Sequence, residues 1–197
     1  MDFLTKLISL ALFEDSGLGD LTSESILSRK HCGKGVIIAK ESMVIAGIDV
    51  AHKVFKMLDH DFKISSSFKD GDLVKQGDIV FQIKGNLINM LKGERVALNF
   101  MQRLSGIATY TRSFVNVLKD FNVRICDTRK TIPGFRSLEK AAVRAGGAFN
   151  HRISLSDSIL IKDNHIAVAK GTCGAITHQA RAVDLSMKIN LDEQVIA

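Results

Sequence analysis

The chain has 197 residues, 46% of them apolar and 24% charged, and a formal net charge of +6. Such a composition belongs to an ordinary globular chain with room for one large domain or two small ones, and no apolar run reaches the ~18–20 residues of a membrane span. The positive surplus suits an anionic metabolite better than nucleic acid: there is one tyrosine and no tryptophan, and the cations gather neither in a basic tail nor on one exposed helix.

Met1 to Lys6 carries an acid early and lacks the basic region and cleavage site of a signal peptide, so a cytoplasmic location is expected. Residues 3–15 place Phe3, Leu4, Leu7, Ile8, Leu10, Ala11 and Leu12 at helical spacing. Gly17 to Thr22 reads as a glycine-punctuated loop. Gly35–Lys40 and Met43–Gly47 read as strands around a short turn, and 49–58 as a helix. Lys69 to Ile83 alternates turn dipeptides with short apolar strands, the pattern of a structural β-layer. A long helical pattern, rich in good helix formers and free of proline, runs from Ile88 to Leu118 with an expected interruption at Ser105-Gly106. Beyond it the texture becomes strand 122–127, a loop with Pro133-Gly134, helix 137–145, Gly146-Gly147 and strand 158–162. That alternation points to a parallel sheet or barrel, and the domain division is placed at 105/106.

Cys32, Cys126 and Cys173 are odd in number and far apart, without disulfide or metal-ligand spacing. Cys126 falls in an apolar run and reads as a small buried hydrophobe. The chemistry lies in the cations. Ile125 to Thr131 and Ser158 to His165 each pass from apolar to charged, as buried strands do when they deliver charge at their carboxyl ends, where α/β folds build sites. In Asp127-Thr128-Arg129-Lys130-Thr131, Arg offers a planar fork for a carboxylate and Lys a compact charge for phosphate-like oxygens. The same residues also fit a solvated strand end with an Asp127–Arg129 ion pair. Gly146 to Arg152 fits either a ligand-approaching loop that presents His151 and Arg152 or a helix-terminating turn. Lys162 can face a ligand or pair with Asp163. Arg95 reads as a helix-start arginine, a type most often solvated. No dinucleotide fingerprint, P-loop, nucleophile elbow or His-Glu-x-x-His motif occurs. These are electrostatic binding groups without a nucleophile, suited to a reaction run by positioning and charge stabilisation.

In order along the chain stand Glu14-Asp15, Gly19-Asp20-Leu21-Thr22, Gly93 to Asn99, Leu104 to Thr109, Asp127 to Thr131 with Pro133-Gly134, Ala142-Val143-Arg144 with Gly146-Gly147, Asn150-His151-Arg152, and Ile161 to His165. Together they resemble the quinolinate phosphoribosyltransferases over roughly residues 10–185. The resemblance implies an α/β fold: an amino-terminal α/β sandwich domain (1–105) followed by an incomplete open α/β barrel (106–197). It further implies a pentosyltransferase of NAD biosynthesis that joins quinolinate to phosphoribosyl pyrophosphate with Mg²⁺, releasing pyrophosphate and CO₂ to give nicotinate mononucleotide. Arg129, His151 and Arg152 would hold the quinolinate carboxylates. Arg95 would reach in from the other subunit of a homodimer. Thr128, Lys130 and Lys162 would line the pocket, with Lys130 and Lys162 as the catalytic cations.

Three departures from the family pattern are mild: Phe135, Ala141 and Ala148, where a leucine, an aromatic and a glycine are usual. A larger one lies at the carboxyl end. The family's later acidic residues and Ser-Gly-Gly phosphate loop do not appear, and Lys188-Ile189 runs into Asn190 to Val195. The expectation is therefore a quinolinate pocket without its phosphoribosyl half and without metal ligands of its own. Two alternatives stand beside the transferase: the molybdate-operon homologue of the same family, against which Asn150 and Lys162-Asp163-Asn164-His165 speak, and a non-catalytic remnant.

Overall fold

The structure, a computed structural model, describes residues 2–169. The chain divides into two compact units, Met1–His151 and a second from Arg152 onward. Cys173 and the segment from Lys188 to Val195 lie outside the described residues.

In the first unit, helix α1 (Phe3–Ser16) forms where the spacing places it. Asp2 caps it by accepting from the Thr5 amide at 2.8 Å. That hydrogen bond, followed by Lys53, holds the Asp2 carboxyl well below its ordinary pKa. Helix α2 (Leu21–Ile26) stands where the sequence suggested only a loop. Asp20 explains it, because its carboxylate accepts from the Ser23 amide at 3.0 Å and from the Ser23 hydroxyl, and so satisfies a free helix-start donor.

The first two strands, read around a short turn, do not pair with each other. Strand β1 (Cys32–Ile38) runs antiparallel to β5 (Ile79–Asn86), with β3 (Lys63–Ser65) on β5's other edge, while β2 (Met43–Val44) pairs with β4 (Leu73–Val74). Beyond Ile38 the chain stays tied to the turn before β5, Ala39 N donating to Asp78 O and Gly77 N to Ala39 O, both at 2.9 Å. It then passes into the second sheet instead of folding back on β1. Two copies of one turn frame β4: Asp72 accepts from Lys69 N at 2.9 Å and Asp78 from Lys75 N at 2.8 Å, with Gly71 and Gly77 at φ 99° and 93°.

Helix α3 (Ile48–Leu58) starts at Gly47, which has no side chain to cap it. Asp70 does so from a distant turn, accepting from Gly47 N at 2.8 Å and Ile48 N at 3.0 Å. Helix α4 (Leu87–Val117) is 31 residues long and unbroken. Ser105-Gly106, read as an interruption, lies inside it, because the Ser105 hydroxyl turns to the neighbouring layer. It accepts from Ala46 N at 3.0 Å and donates to Ala46 O at 3.1 Å. One turn on, the Thr109 hydroxyl accepts from Val44 N at 2.9 Å. Gly93 lets α3 approach, since a Cβ there would meet Phe55 at 2.8 Å. The core collects Ile8, Val44, Val54, Phe55, Phe62, Val80 and Phe81 against Ala97, Met101 and Leu104 of α4.

Helix α5 (Arg136–Ala145) forms as read. Just before it, the variant Phe135 stacks on Phe100 with ring centres 5.5 Å apart. The strand expected at 122–127 is reduced to one parallel bridge, Cys126 to Phe149. In the second unit 158–162 is irregular, and α6 (Asp163–Ala169) begins where a charged strand end was expected. An apolar run becomes a parallel strand only beside a ladder partner, and neither segment has a full one among the described residues. No described helix is long and apolar enough to cross a membrane.

Candidate anion-binding site

The loop from Asp127 to Phe135 is held from beneath by α5, and α5 by α4. Arg103 of α4 donates to the buried Glu139 carboxylate at 2.7 Å through its terminal nitrogen and at 3.2 Å through Nε. At the other end of α5, Arg112 Nε donates to Gly146 O at 2.8 Å and so closes the helix's last carbonyls. The α4–α5 contact is therefore fixed at both ends by charged donors.

On α5, Lys140 turns inward. Its ammonium pairs with Asp127 and also donates to His151 O at 2.9 Å; the two side chains are 3% and 7% exposed. The Asp127 carboxylate accepts from His151 N at 2.8 Å and from the Asn150 amide as well. Asn150 also donates to Lys140 O at 2.9 Å and accepts from Arg144. Asp127 N donates to Phe149 O at 3.1 Å and Phe149 N to Ile125 O at 2.9 Å, which stitches the two backbone arms together. Arg124 lies over the Phe149 ring, 5.2 Å from its centre.

This geometry corrects the ion-pair reading of the loop. The partner of Asp127 is Lys140, not Arg129. Arg129 is half-buried, and its Nε is buried without a hydrogen-bond partner. A charged donor left dry inside a protein is costly unless an acceptor arrives. Thr128 Oγ1 accepts from Lys130 N at 3.1 Å, a local turn that bends the chain there, and both Thr128 and Lys130 are exposed. His151 is half-buried, anchored through its backbone. The structure thus brings Thr128, Arg129, Lys130 and His151 to one stitched pair of arms.

Arg95 is elsewhere on the unit. It sits within α4, which begins at Leu87 under an Asn86 cap, and not at a helix start. It is exposed and has no hydrogen-bond or ion-pair partner among the described residues. In the second unit, Arg152 is buried; one terminal nitrogen donates to Ser158 O at 2.8 Å while Nε has no partner. Lys162 is exposed there, its amide donating to His165 Nδ1 at 3.0 Å, the start of α6. No ion pair joins it to Asp163. Two clefts, of about 360 and 570 Å³, flank α2 and the start of α4; Lys92 lines both, and no predicted site residue lines either. Among the described residues no three His, Cys, Asp or Glu side chains stand together to hold a metal. Sequence reading missed Asp127, Lys140, Asn150 and Arg144 as a unit, since nothing in the spacing tells an inward lysine from a solvated one.

Family models for the N-terminal and C-terminal domains of quinolinate phosphoribosyl transferase match residues 20–105 and 107–195. The chain belongs to the quinolinate phosphoribosyltransferase family. A probable nicotinate-nucleotide pyrophosphorylase [carboxylating] of Bacillus subtilis is 44% identical to it, over 98% of this chain and 68% of that one. A protein of the same description from Synechocystis is 45% identical, over 84% and 55%. Among solved structures, NadC from Streptococcus pyogenes superposes with a TM-score of 0.81 at 43% identity, over 85% of this chain and 59% of that one. The nicotinate-nucleotide pyrophosphorylase from Francisella tularensis gives 0.82 at 40%, over 92% and 65%. The chain therefore spans roughly half to two thirds of the length of these relatives. The α/β fold class of the family, an amino-terminal sheet domain followed by part of an α/β barrel, is the one this chain has.

Proposed function

We propose that this chain carries the quinolinate-binding part of a transferase that joins quinolinate to phosphoribosyl pyrophosphate, with loss of CO₂ and pyrophosphate, to give nicotinate mononucleotide for NAD biosynthesis. One observation supports it most: Arg129, in the middle of the family's densest motif, has a buried nitrogen without an acceptor, while the adjacent Asp127 is engaged by Lys140. An internal salt bridge would have closed that guanidinium; without one it can take an external anion.

Arg129, His151 and Arg152 hold the quinolinate carboxylates in this reading, the arginines as planar forks. Lys130 and Lys162 are point charges toward the carboxylate and phosphoribosyl groups, and Thr128 supplies a hydroxyl. Departure of CO₂ leaves negative charge on the pyridine ring, and fixed cations beside it lower the barrier as an oxyanion hole does. Mg²⁺ enters with the phosphoribosyl donor as part of that substrate. Arg95, exposed and without a partner among the described residues, would serve a neighbouring site in a homodimer, and charged substrates of this kind suit the cytoplasm.

The test is release of labelled CO₂ from carboxyl-labelled quinolinate, dependent on phosphoribosyl pyrophosphate and Mg²⁺. Formation of nicotinate mononucleotide in step with CO₂ supports the reading; CO₂ release without the donor, or no binding of quinolinate at all, contradicts it. In an otherwise complete enzyme, mixing Arg95→Ala with Lys130→Ala subunits should restore some activity if Arg95 works across a dimer. Failure after confirmed exchange would place it within its own chain.

A further inference from the structure

We propose that Lys140 is a positioning residue: it neutralises Asp127 and thereby keeps Arg129 free for an anionic ligand. The inference rests on the reading of Arg129 as a ligand-binding group, but its mechanism concerns the protein alone. Lys140 and Asp127 are nearly fully buried. A buried carboxylate without a counter-ion is strongly unfavourable and draws in whatever cation can reach it. Arg129 is two residues away on the same loop, with its Nε dry and without an acceptor. It is, with Arg144, a cation near enough in the chain to be drawn in.

The contacts around Asp127 show why that does not happen. One carboxylate oxygen accepts from Lys140 and from His151 N at 2.8 Å, and the other from Asn150. Asn150 is oriented in turn by Arg144 and by Lys140 O at 2.9 Å. Both oxygens are occupied and the charge is balanced. Lys140 also donates to His151 O at 2.9 Å, so one ammonium fixes the arm that carries Arg129 and the arm that carries His151. Of the cations between Asp127 and His165, Lys140 is the one paired with Asp127, and its charge is what leaves Arg129 without that partner. Arg144, already on Asn150, is the competing cation.

Three variants separate this from simple scaffolding. Lys140→Gln removes the charge and leaves Asp127 uncompensated. Asp127→Asn removes the demand for a cation. The double variant Asp127→Asn/Lys140→Gln replaces the ion pair by two amides that can hydrogen-bond to each other, and buries no charge. The first readout needs no ligand: the rate at which phenylglyoxal modifies Arg129, located by peptide mass mapping, with exposed Arg95 as the reference. The second is quinolinate affinity by calorimetry. In Lys140→Gln, Arg129 should be modified several-fold more slowly relative to Arg95. Affinity should fall by about tenfold or more, the loss of one charged hydrogen bond. The double variant should return both toward wild type. A merely structural role would lower the melting temperature and leave Arg129 as reactive as before, or more so.

Unchanged or increased Arg129 reactivity in folded Lys140→Gln overturns the proposal, and so does capture of Asp127 by Arg144 with Arg129 still free. If Lys140→Gln does not fold, the double variant decides: Arg129 must then be as reactive as in wild type, and slowed modification contradicts the role. The expected reactivity pattern without quinolinate binding by the wild type would sustain this inference and overturn the ligand assignment instead.

Discussion

Around Phe81 the packing is apolar throughout: Phe55 meets Phe62 edge-on at 5.9 Å and Phe81 at 5.7 Å, with Val54 and Val80 closing the rest. Around Asp127 it is ionic, with Lys140, Asn150, Arg144 and the His151 backbone converging on one carboxylate. The two regions meet the same requirement, to hold distant segments together, by different means. Apolar contact is cumulative and tolerant of exchange between similar shapes. A buried ion pair adds little net stability over an apolar pair but costs heavily when one partner is lost, and it is specific about which groups meet. The ionic device stands in the loop proposed to bind the ligand, and the apolar one in the layer that supports it.

The largest effect that would break this comparison is on stability. Lys140→Gln should destabilise the fold by at most about 3–5 kcal/mol, the cost of stranding one buried charge, less what capture of Asp127 by Arg129 recovers. Phe81→Ala should cost a similar ~3–5 kcal/mol through its cavity. The regions differ in rescue. Adding Asp127→Asn should recover most of the Lys140→Gln loss in denaturant titrations, whereas no second polar change should recover Phe81→Ala. Equal failure to recover would show that the Asp127 region is fastened by shape and not by charge.

Much of the apolar region was legible in the sequence. Helices α1, α3, α4 and α5 follow from apolar spacing, and the repeated Lys-x-Gly-Asp turns from their glycines and aspartates. What was missed depends on partners or on one local cap. Helix α2 was hidden by the flanking glycines although Asp20 announces its start. The pairing of β1 with β5 instead of β2 is a choice between edges that alternation cannot make. Runs 122–127 and 158–162 have the texture of parallel strands, but a strand also needs a neighbour. The candidate site shows the same split. The concentration of cations after Asp127 was plain, while the identity of the one paired with Asp127 was not, because Lys140 reaches Asp127 and His151 across 13 and 11 residues. Nothing local marks that contact.

A smaller effect sharpens the comparison from the apolar side, where a polar group closes the start of α3. Asp70→Ala removes the cap of α3 and should cost ~0.5–2 kcal/mol, the range for a lost helix cap. Amide exchange should quicken at Gly47 and Ile48 and stay unchanged at His151. A matching loss of protection at His151 would mean that the two regions are coupled and not independently fastened.

Smallest is the response of α2 to acid. The Ser23 hydroxyl and amide hold Asp20 below its ordinary pKa of 3.8, and Lys92, with the Asp20 amide, holds Glu24 below 4.5. A carboxylate lowered in the folded state stabilises above its unfolded pKa and loses that contribution as pH falls through the folded value. Ser23 amide protection should therefore hold above about pH 4.5 and decline below it, with Lys92→Met removing the Glu24 part. Glu24 is exposed and Asp20 half-exposed, so the effect is local. Global unfolding in step with Ser23 would contradict that.

The central claim is that Arg129 is left without an internal partner because an external dicarboxylate is its partner. Calorimetric titration of quinolinate into the wild-type chain and into Arg129→Ala tests it most directly. The account predicts measurable binding to wild type and a loss of about 1.5–3 kcal/mol in the variant, the worth of a charged hydrogen bond, with the melting temperature unchanged or raised. Equal affinity in both chains would contradict it.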